Sequence, residues 1–208
     1  MININDIKRV YLIGIGGIGM SGLARYFNQR GCLVYGFDKT VTPLTKELVN
    51  EGIGISYVDD SDLIPISFQN NDSETLIVYT PAIPKDSNIL NFFKKENFEL
   101  YKRSQVLGII SNSMYCIAIA GTHGKTTTSS LVAHLLREGG IDCSAFLGGI
   151  ASNYASNLLI GKHDVVVVEA DEYDRSFLTL HPDIAVITSM DADHLDIYGD
   201  ESHLHESF

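Results

Sequence analysis

Cysteine is scarce and carries no pattern. The three residues, Cys32, Cys116 and Cys143, are far apart and odd in number, and no CxxC pair occurs. Neither a zinc site nor a disulfide framework is indicated, and Cys116, inside an apolar run, reads as a core residue. Positive charge is also short: 15 Lys and Arg stand against 26 Asp and Glu, a formal net charge of −11. This argues against nucleic acid or an anionic membrane as the main partner, because both select basic surfaces. A small anion is not excluded, since a few local donors can hold a phosphate on an acidic protein. Long apolar runs are missing as well; none approaches the roughly 20 residues that a membrane helix needs. The opening MININDIKRV has no basic region followed by an apolar stretch, so no signal peptide is read there. A soluble cytoplasmic protein is the expectation.

What is present is the composition of a globular chain. The 208 residues are 45% hydrophobic and 20% charged, with no low-complexity tract, enough for one large domain or two small ones. Strand and helix patterns alternate. RVYLIGI is a continuous apolar run of the kind found in buried parallel strands. Residues 18–30 place Met20, Leu23, Ala24 and Phe27 at helical spacing before Gly31. CLVYGFD is a second strand ending at Asp38. A short helix follows, with Thr42 as its N-cap and Pro43 at its first position. TLIVYT is a further strand, and residues 85–97 and 103–112 read as helices. A new unit starts near residues 111–114, with YCIAIAG as a strand and 125–138 as a helix closed by Gly139 and Gly140. DCSAFLG, HDVVVVEAD and DIAVITS follow as strands. The expectation is a parallel α/β architecture in two domains, 1–112 and 113–208. The second sheet would have about four strands, near the low end of usual sizes, so the chain reads as a fragment of a longer protein.

Two glycine loops carry the chemistry. GIGGIG fits G-x-G-x-x-G at Gly14, Gly16 and Gly19, between a strand and a helix. Glycines there let a diphosphate approach backbone N–H groups at the positive end of a helix. Asp38 ends the next strand about 20 residues on, where an acid commonly meets a ribose hydroxyl. The loop alone does not choose between NAD, FAD and a UDP-sugar, and its glycines could serve close strand–helix packing only.

The second loop has Gly121, Gly124, Lys125 and Thr126 as G-x-x-G-K-T. The usual phosphate loop is longer, G-x-x-x-x-G-K-[ST], and its first glycine would fall on Ile119. The physics survives the shortening: N–H groups from Gly121 to Thr127 can converge on phosphate oxygens. Lys125 would neutralise the β/γ-phosphates and the Thr126 hydroxyl would take a place on Mg²⁺. A capped helix with a solvated lysine is the plainer alternative. Glu169 closes a buried strand where parallel sheets display ligand groups, and it suits Mg²⁺ chemically. Asp191, Asp193, His194 and Asp196 follow a further strand. By spacing, His194 is either a metal ligand or a satisfied loop histidine. Asp171, Glu172 and Asp174 read mainly as a solvated loop, and His203 and His205 as surface.

GIGGIGMSGLA, GTHGKTTT, EADEYDRSFL and DADHLD, in this order along essentially the whole chain, resemble the Mur ligases of bacterial cell-wall synthesis. The resemblance implies a Rossmann-like domain that binds UDP-N-acetylmuramate, followed by the first part of a P-loop-type ATP-binding α/β domain. His123 points within the family to the member that adds L-alanine. The alternative is the relative that reattaches recycled tripeptide, or, outside the family, an NAD-dependent oxidoreductase. The implied reaction uses ATP and Mg²⁺ to phosphorylate the sugar's lactyl carboxylate. The amine of L-alanine then attacks the acyl phosphate.

On this resemblance Gly16, Gly17, Ile18 and Gly19 would contact the UDP-sugar's phosphates and Asp38 would sit near the uridine. Thr80, Pro81, Ala82 and Ile83 form the core of a second UDP-side loop, and Arg103 matches a family arginine near the UDP-sugar. Gly121, Thr122, Gly124, Lys125, Thr126 and Thr127 would hold ATP; Thr126, Glu169 and His194 would form the Mg²⁺ shell. Lys125, His123, Glu169 and His194 are the candidate catalytic residues, with Asp171 a further candidate for the site. Two departures stand out. Ser189 occupies a position where the family commonly has asparagine, which puts that residue's contacts in question, and EYDRSF replaces the commoner ESDASF. The family is longer than this chain, so the resemblance implies a piece that is not competent alone.

Overall fold

The computed structural model describes residues 2–171 and 173–191, with the side chains of 173–175 outside that description. Two compact units emerge, Met1–Val106 and Leu107–Phe208, each with its own five-stranded sheet.

The first unit begins with β1 (Arg9–Ile13), whose last four residues are buried. The chain then enters α1 (Ile18–Gln29), which buries Met20, Leu23, Ala24 and Phe27 and ends before Gly31 at φ +80. β2 (Leu33–Phe37) leads to α2 (Pro43–Asn50). The start of α2 follows from three residues. The Thr42 hydroxyl accepts the N–H of Thr45, the Thr45 hydroxyl accepts the N–H of Thr42, and Pro43 sits where a helix needs no donor. The buried Arg25 of α1 ties this helix down by donating to Glu51 and Glu47.

β3 (Gly54–Ser56), β4 (Thr75–Tyr79), α3 (Asn88–Lys95), β5 (Leu100–Lys102) and α4 (Arg103–Ser111) complete the series. α3 is shorter than the expected 85–97. Asp59 takes the N–H groups of Asn88 and Ile89 and the hydroxyl of Ser87, and Ser87 in turn takes the N–H of Leu90, which fixes the helix start. The sheet runs β3-β2-β1-β4-β5, every pair parallel. Tyr11, Ile13, Phe37, Phe68, Ile77 and Phe93 form a core on one face. Successive connections diverge between β1 and β4, and crevices for ligands open beyond the carboxyl ends of strands at such a point.

The second unit holds β6 (Tyr115–Ala120), α5 (Lys125–Glu138), β7 (Ser144–Ala151), β8 (Ser156–Leu159), β9 (Val165–Glu169) and β10 (Ile184–Ile187). Its order is β10-β6-β9-β7-β8. The expected four parallel strands become five in a mixed sheet, because β8 folds back antiparallel on β7. That hairpin was hidden in ASNYASNLL, where no alternation marks a strand. α5 packs Ala133 into a core with Ile117, Ile119, Cys143, Ala145, Leu147 and Val167. No helix among the described residues is long and apolar enough to cross a membrane.

Candidate functional site

The first unit brings its candidate residues together beyond the carboxyl ends of β1, β2 and β4. Gly14 leaves β1 at φ +90, a conformation costly for any residue with a Cβ, and its N–H and that of Ile15 donate to the Phe37 carbonyl. Gly16 then passes against Asp38. Its N–H donates to Asp38 Oδ2 at 2.8 Å, and a Cβ there would lie 2.7 Å from that oxygen and 2.8 Å from Thr45 Cγ2. Asp38 Oδ1 accepts from the Thr40 N–H. The acid therefore fastens the glycine loop, and the Gly16 N–H faces Asp38.

Gly17 is exposed and begins α1; a Cβ there would meet nothing closer than 3.6 Å. The second loop, Thr80 to Ile83, closes on itself through Ile83 N–H to Thr80 O and abuts Gly14 through Thr80 and Ile83. Arg103, at the start of α4, lays its side chain against Gly19, with Nη1 2.8 Å from the position of a Cβ. Gly16, Gly17, Ile18, Gly19, Asp38, Thr80, Ile83 and Arg103 thus stand around one crevice edge, with a guanidinium beside the N-terminal turn of a helix. Both favour anions.

The second unit repeats the strand–loop–helix plan with different chemistry. Gly124 is left-handed at φ +82 and starts α5 without a side-chain cap, so the loop's N–H groups are not capped by their own residues. Lys125 curls back and donates to the carbonyls of Gly121 at 2.6 Å and Thr122 at 3.3 Å. The Thr126 hydroxyl donates to Glu169 Oε1 at 3.0 Å. Glu169, at the end of β9, also accepts the N–H of Gly148 at 2.9 Å. A Cβ on Gly148 would collide with this carboxylate, so glycine is what lets β7 approach it. Sequence reasoning missed Gly148, which no spacing marks.

Not all N–H groups from Gly121 to Thr127 converge inward as expected. Those of Thr122 and His123 turn to Ser189, donating to its carbonyl at 3.1 Å and its hydroxyl at 2.9 Å. The segment after β10 fills the space beside the loop and supplies those acceptors. His123 itself is exposed. Between α5 and the β7–β8 hairpin lies a cleft of about 290 Å³, lined by Thr126, Thr127, Ser130, His134, Asn153 and Tyr154 among others. His134 Nδ1 and Tyr154 Oη, 3.0 Å apart, join its two walls.

Glu169 and Thr126 present hard oxygen atoms side by side, next to a lysine, and this donor set fits Mg²⁺. His194, Asp193, Asp196, Glu172, His203 and His205 lie outside the described residues, so the histidine of the expected metal shell is not placed. Asp171 follows Glu169 and is half-buried.

Two family profiles match the sequence: the Mur ligase family, catalytic domain, over residues 9–115, and the Mur ligase middle domain over residues 119–208. The chain belongs to the Mur ligase family. A UDP-N-acetylmuramate–L-alanine ligase of Christiangramia forsetii is 56% identical over all 208 residues, and one of Cytophaga hutchinsonii is 56% identical over 211. The chain spans about half the length of these relatives, 46% and 45%. Among solved structures, the UDP-N-acetylmuramate-alanine ligase of Thermotoga maritima superposes with a TM-score of 0.86 at 30% identity, over 96% of this chain and 45% of that one. The UDP-N-acetylmuramate:L-alanyl-γ-D-glutamyl-meso-diaminopimelate ligase of Neisseria meningitides reaches 0.87 at 25%, over 97% and 66%. As a Mur ligase this chain is α/β throughout, with a Rossmann-like first sheet, as its motifs imply.

Proposed function

We propose that this Mur ligase chain supplies the UDP-sugar and ATP sites of a UDP-N-acetylmuramate–L-alanine ligase. The observation that carries the reading is the pairing of two unlike cradles in one chain. One is a glycine turn fastened by Asp38 with an arginine beside it; the other has a lysine and a threonine–glutamate oxygen pair. Residues 1–112 form the UDP-sugar domain and 113–208 the start of the ATP domain.

In the first, the turn at Gly17, Ile18 and Gly19 with Arg103 receives the diphosphate, while Thr80, Pro81, Ala82 and Ile83 wall the crevice. Asp38 sets the loop's shape and borders the uridine. In the second, Gly124, Lys125, Thr126 and Thr127 hold the ATP phosphates. Thr126 and Glu169, with His194 as the resemblance implies, would hold Mg²⁺, which would neutralise phosphate charge when bound. Lys125 would leave the Gly121 and Thr122 carbonyls to meet the terminal phosphates.

The reaction acts on the acceptor's carboxylate. A carboxylate is a poor electrophile, so its phosphorylation supplies the leaving group that the amine of L-alanine displaces. Catalysis by these residues is positioning and charge neutralisation. On this reading the reaction, drawing on ATP and a UDP-sugar, belongs in the cytoplasm.

The tripeptide-adding alternative is weaker. The two solved structures match equally well in shape, but 56% identity lies with the alanine ligases. Calorimetric titration of UDP-N-acetylmuramate and of MgATP, with NAD as control, tests the reading. Saturable binding of the first two supports it; binding of NAD alone would overturn it.

A further inference from the structure

Ser189 stands about 65 residues from the phosphate loop in sequence, yet it holds that loop from outside. Its Oγ accepts the N–H of His123 at 2.9 Å and lies 2.8 Å from Thr122 Oγ1, so the two hydroxyls bond whichever donates. Its carbonyl accepts the N–H of Thr122 at 3.1 Å. The neighbours reinforce the grip. The Thr188 hydroxyl donates toward the His123 and Ala120 carbonyls, and the Asp191 N–H donates to Thr122 Oγ1 at 3.0 Å. Gly121 must be glycine for this to fit, since a Cβ there would lie 2.8 Å from the Ser189 backbone nitrogen and oxygen.

We infer that Ser189 is a positioning residue for the nucleotide site. It fixes the peptide planes of Thr122 and His123 through their N–H groups, so that the turn into α5 is set before any phosphate arrives. A short loop of the form G-x-x-G-K-T lacks two residues of the usual phosphate loop, and the external hydroxyl compensates for the curvature those residues supply. Ser189 does not touch the nucleotide; it acts through His123 and Thr122. Its use for phosphate binding rests on the nucleotide reading above, whereas the latch itself does not.

Two measurements on the 208-residue chain separate these. The first is amide hydrogen exchange over residues 121–127 without nucleotide, in the wild type, S189A and S189T. The His123 amide is expected to be protected in the wild type and in S189T, which keeps the hydroxyl, and to lose protection in S189A. An unprotected wild type, or no change in S189A, overturns the latch. The second is MgATP affinity by titration, with UDP-N-acetylmuramate affinity and thermal midpoint as controls. S189A is expected to weaken MgATP about tenfold, the scale of one lost hydrogen bond, with UDP-N-acetylmuramate affinity unmoved, the thermal midpoint lowered by only a few degrees, and S189T restoring the wild-type value. Equal MgATP affinity in S189A and wild type overturns the positioning role while leaving the nucleotide site intact. A wild type that binds UDP-N-acetylmuramate but no MgATP overturns the nucleotide reading, and the positioning role falls with it.

Discussion

At the scale of single residues, adjacent glycines in the first loop have opposite tolerances. A methyl group on Gly16 would displace Asp38 and Thr45, whereas on Gly17 it would find ordinary contact distances. Gly16→Ala is expected to destabilise the chain by about 1–3 kcal/mol in urea unfolding. Gly17→Ala should stay within about 0.5 kcal/mol of wild type. Gly17→Val should weaken UDP-N-acetylmuramate about tenfold or more by calorimetry, because its side chain would enter the space proposed for the diphosphate. Tyr11 offers the reverse case. Its ring packs among Tyr35, Phe68 and Phe93, yet its buried hydroxyl has no hydrogen-bond partner among the described residues. Tyr11→Phe removes that orphan and should stabilise the chain by about 1 kcal/mol. Glu169→Gln should abolish the Mg²⁺-dependent part of ATP affinity, read by titrating ATP with and without the metal.

At the scale of elements, Asp59 is the clearest lever, since one carboxylate serves three donors at the start of α3. Asp59→Ala should cost about 1–2 kcal/mol in thermal or urea unfolding. The same scale shows what could be read without a structure. β1, β4, β6 and β9 are continuous apolar runs, and α1, α2 and α5 carry their own start and stop residues, so each was legible. β3 and β5 are three residues long, too short for any period to show. β8 is an edge strand whose partner is set by a hairpin with a register shift, information that lies in tertiary pairing. The loop glycines, Lys125, Thr126 and Glu169 were visible by spacing. Asp38 was visible too, but as a ribose contact; its bond to Gly16 depends on a loop path that spacing does not encode. Ser189 showed only as a departure from a pattern, because its partners are brought to it by sheet order, not by sequence distance.

At the scale of the whole molecule, stability should fall at both ends of the pH range. Burial pushes up the thiols of Cys32, Cys116 and Cys143, the Cys116 thiol to about 11, with Asp183 raising it further and Ser111 opposing. Burial raises Tyr101 to about 12 and lifts Tyr11 and Tyr26 as well. The folded state thus holds these protons more tightly than the unfolded chain does, and stability is lost as pH climbs from about 9. At the acid end, burial works against Asp72 and Asp142, but hydrogen bonds from Arg9 and Thr75 to the first and from Arg137 to the second prevail. Both carboxyls lie below their ordinary range. Their contribution is present above about pH 4 and is lost as pH falls through the lowered values. Circular dichroism melts from pH 3 to 11 should trace this dome. All three thiols should resist a thiol reagent at pH 8 until the chain is unfolded. The bond between Asp38 and the Gly16 amide has a kinetic consequence. A turn whose shape is set when the chain folds has little freedom left to surrender to a ligand. Association at that edge should therefore proceed in one step, its observed rate rising linearly with ligand concentration and never levelling off, as capture by a ready-made surface requires.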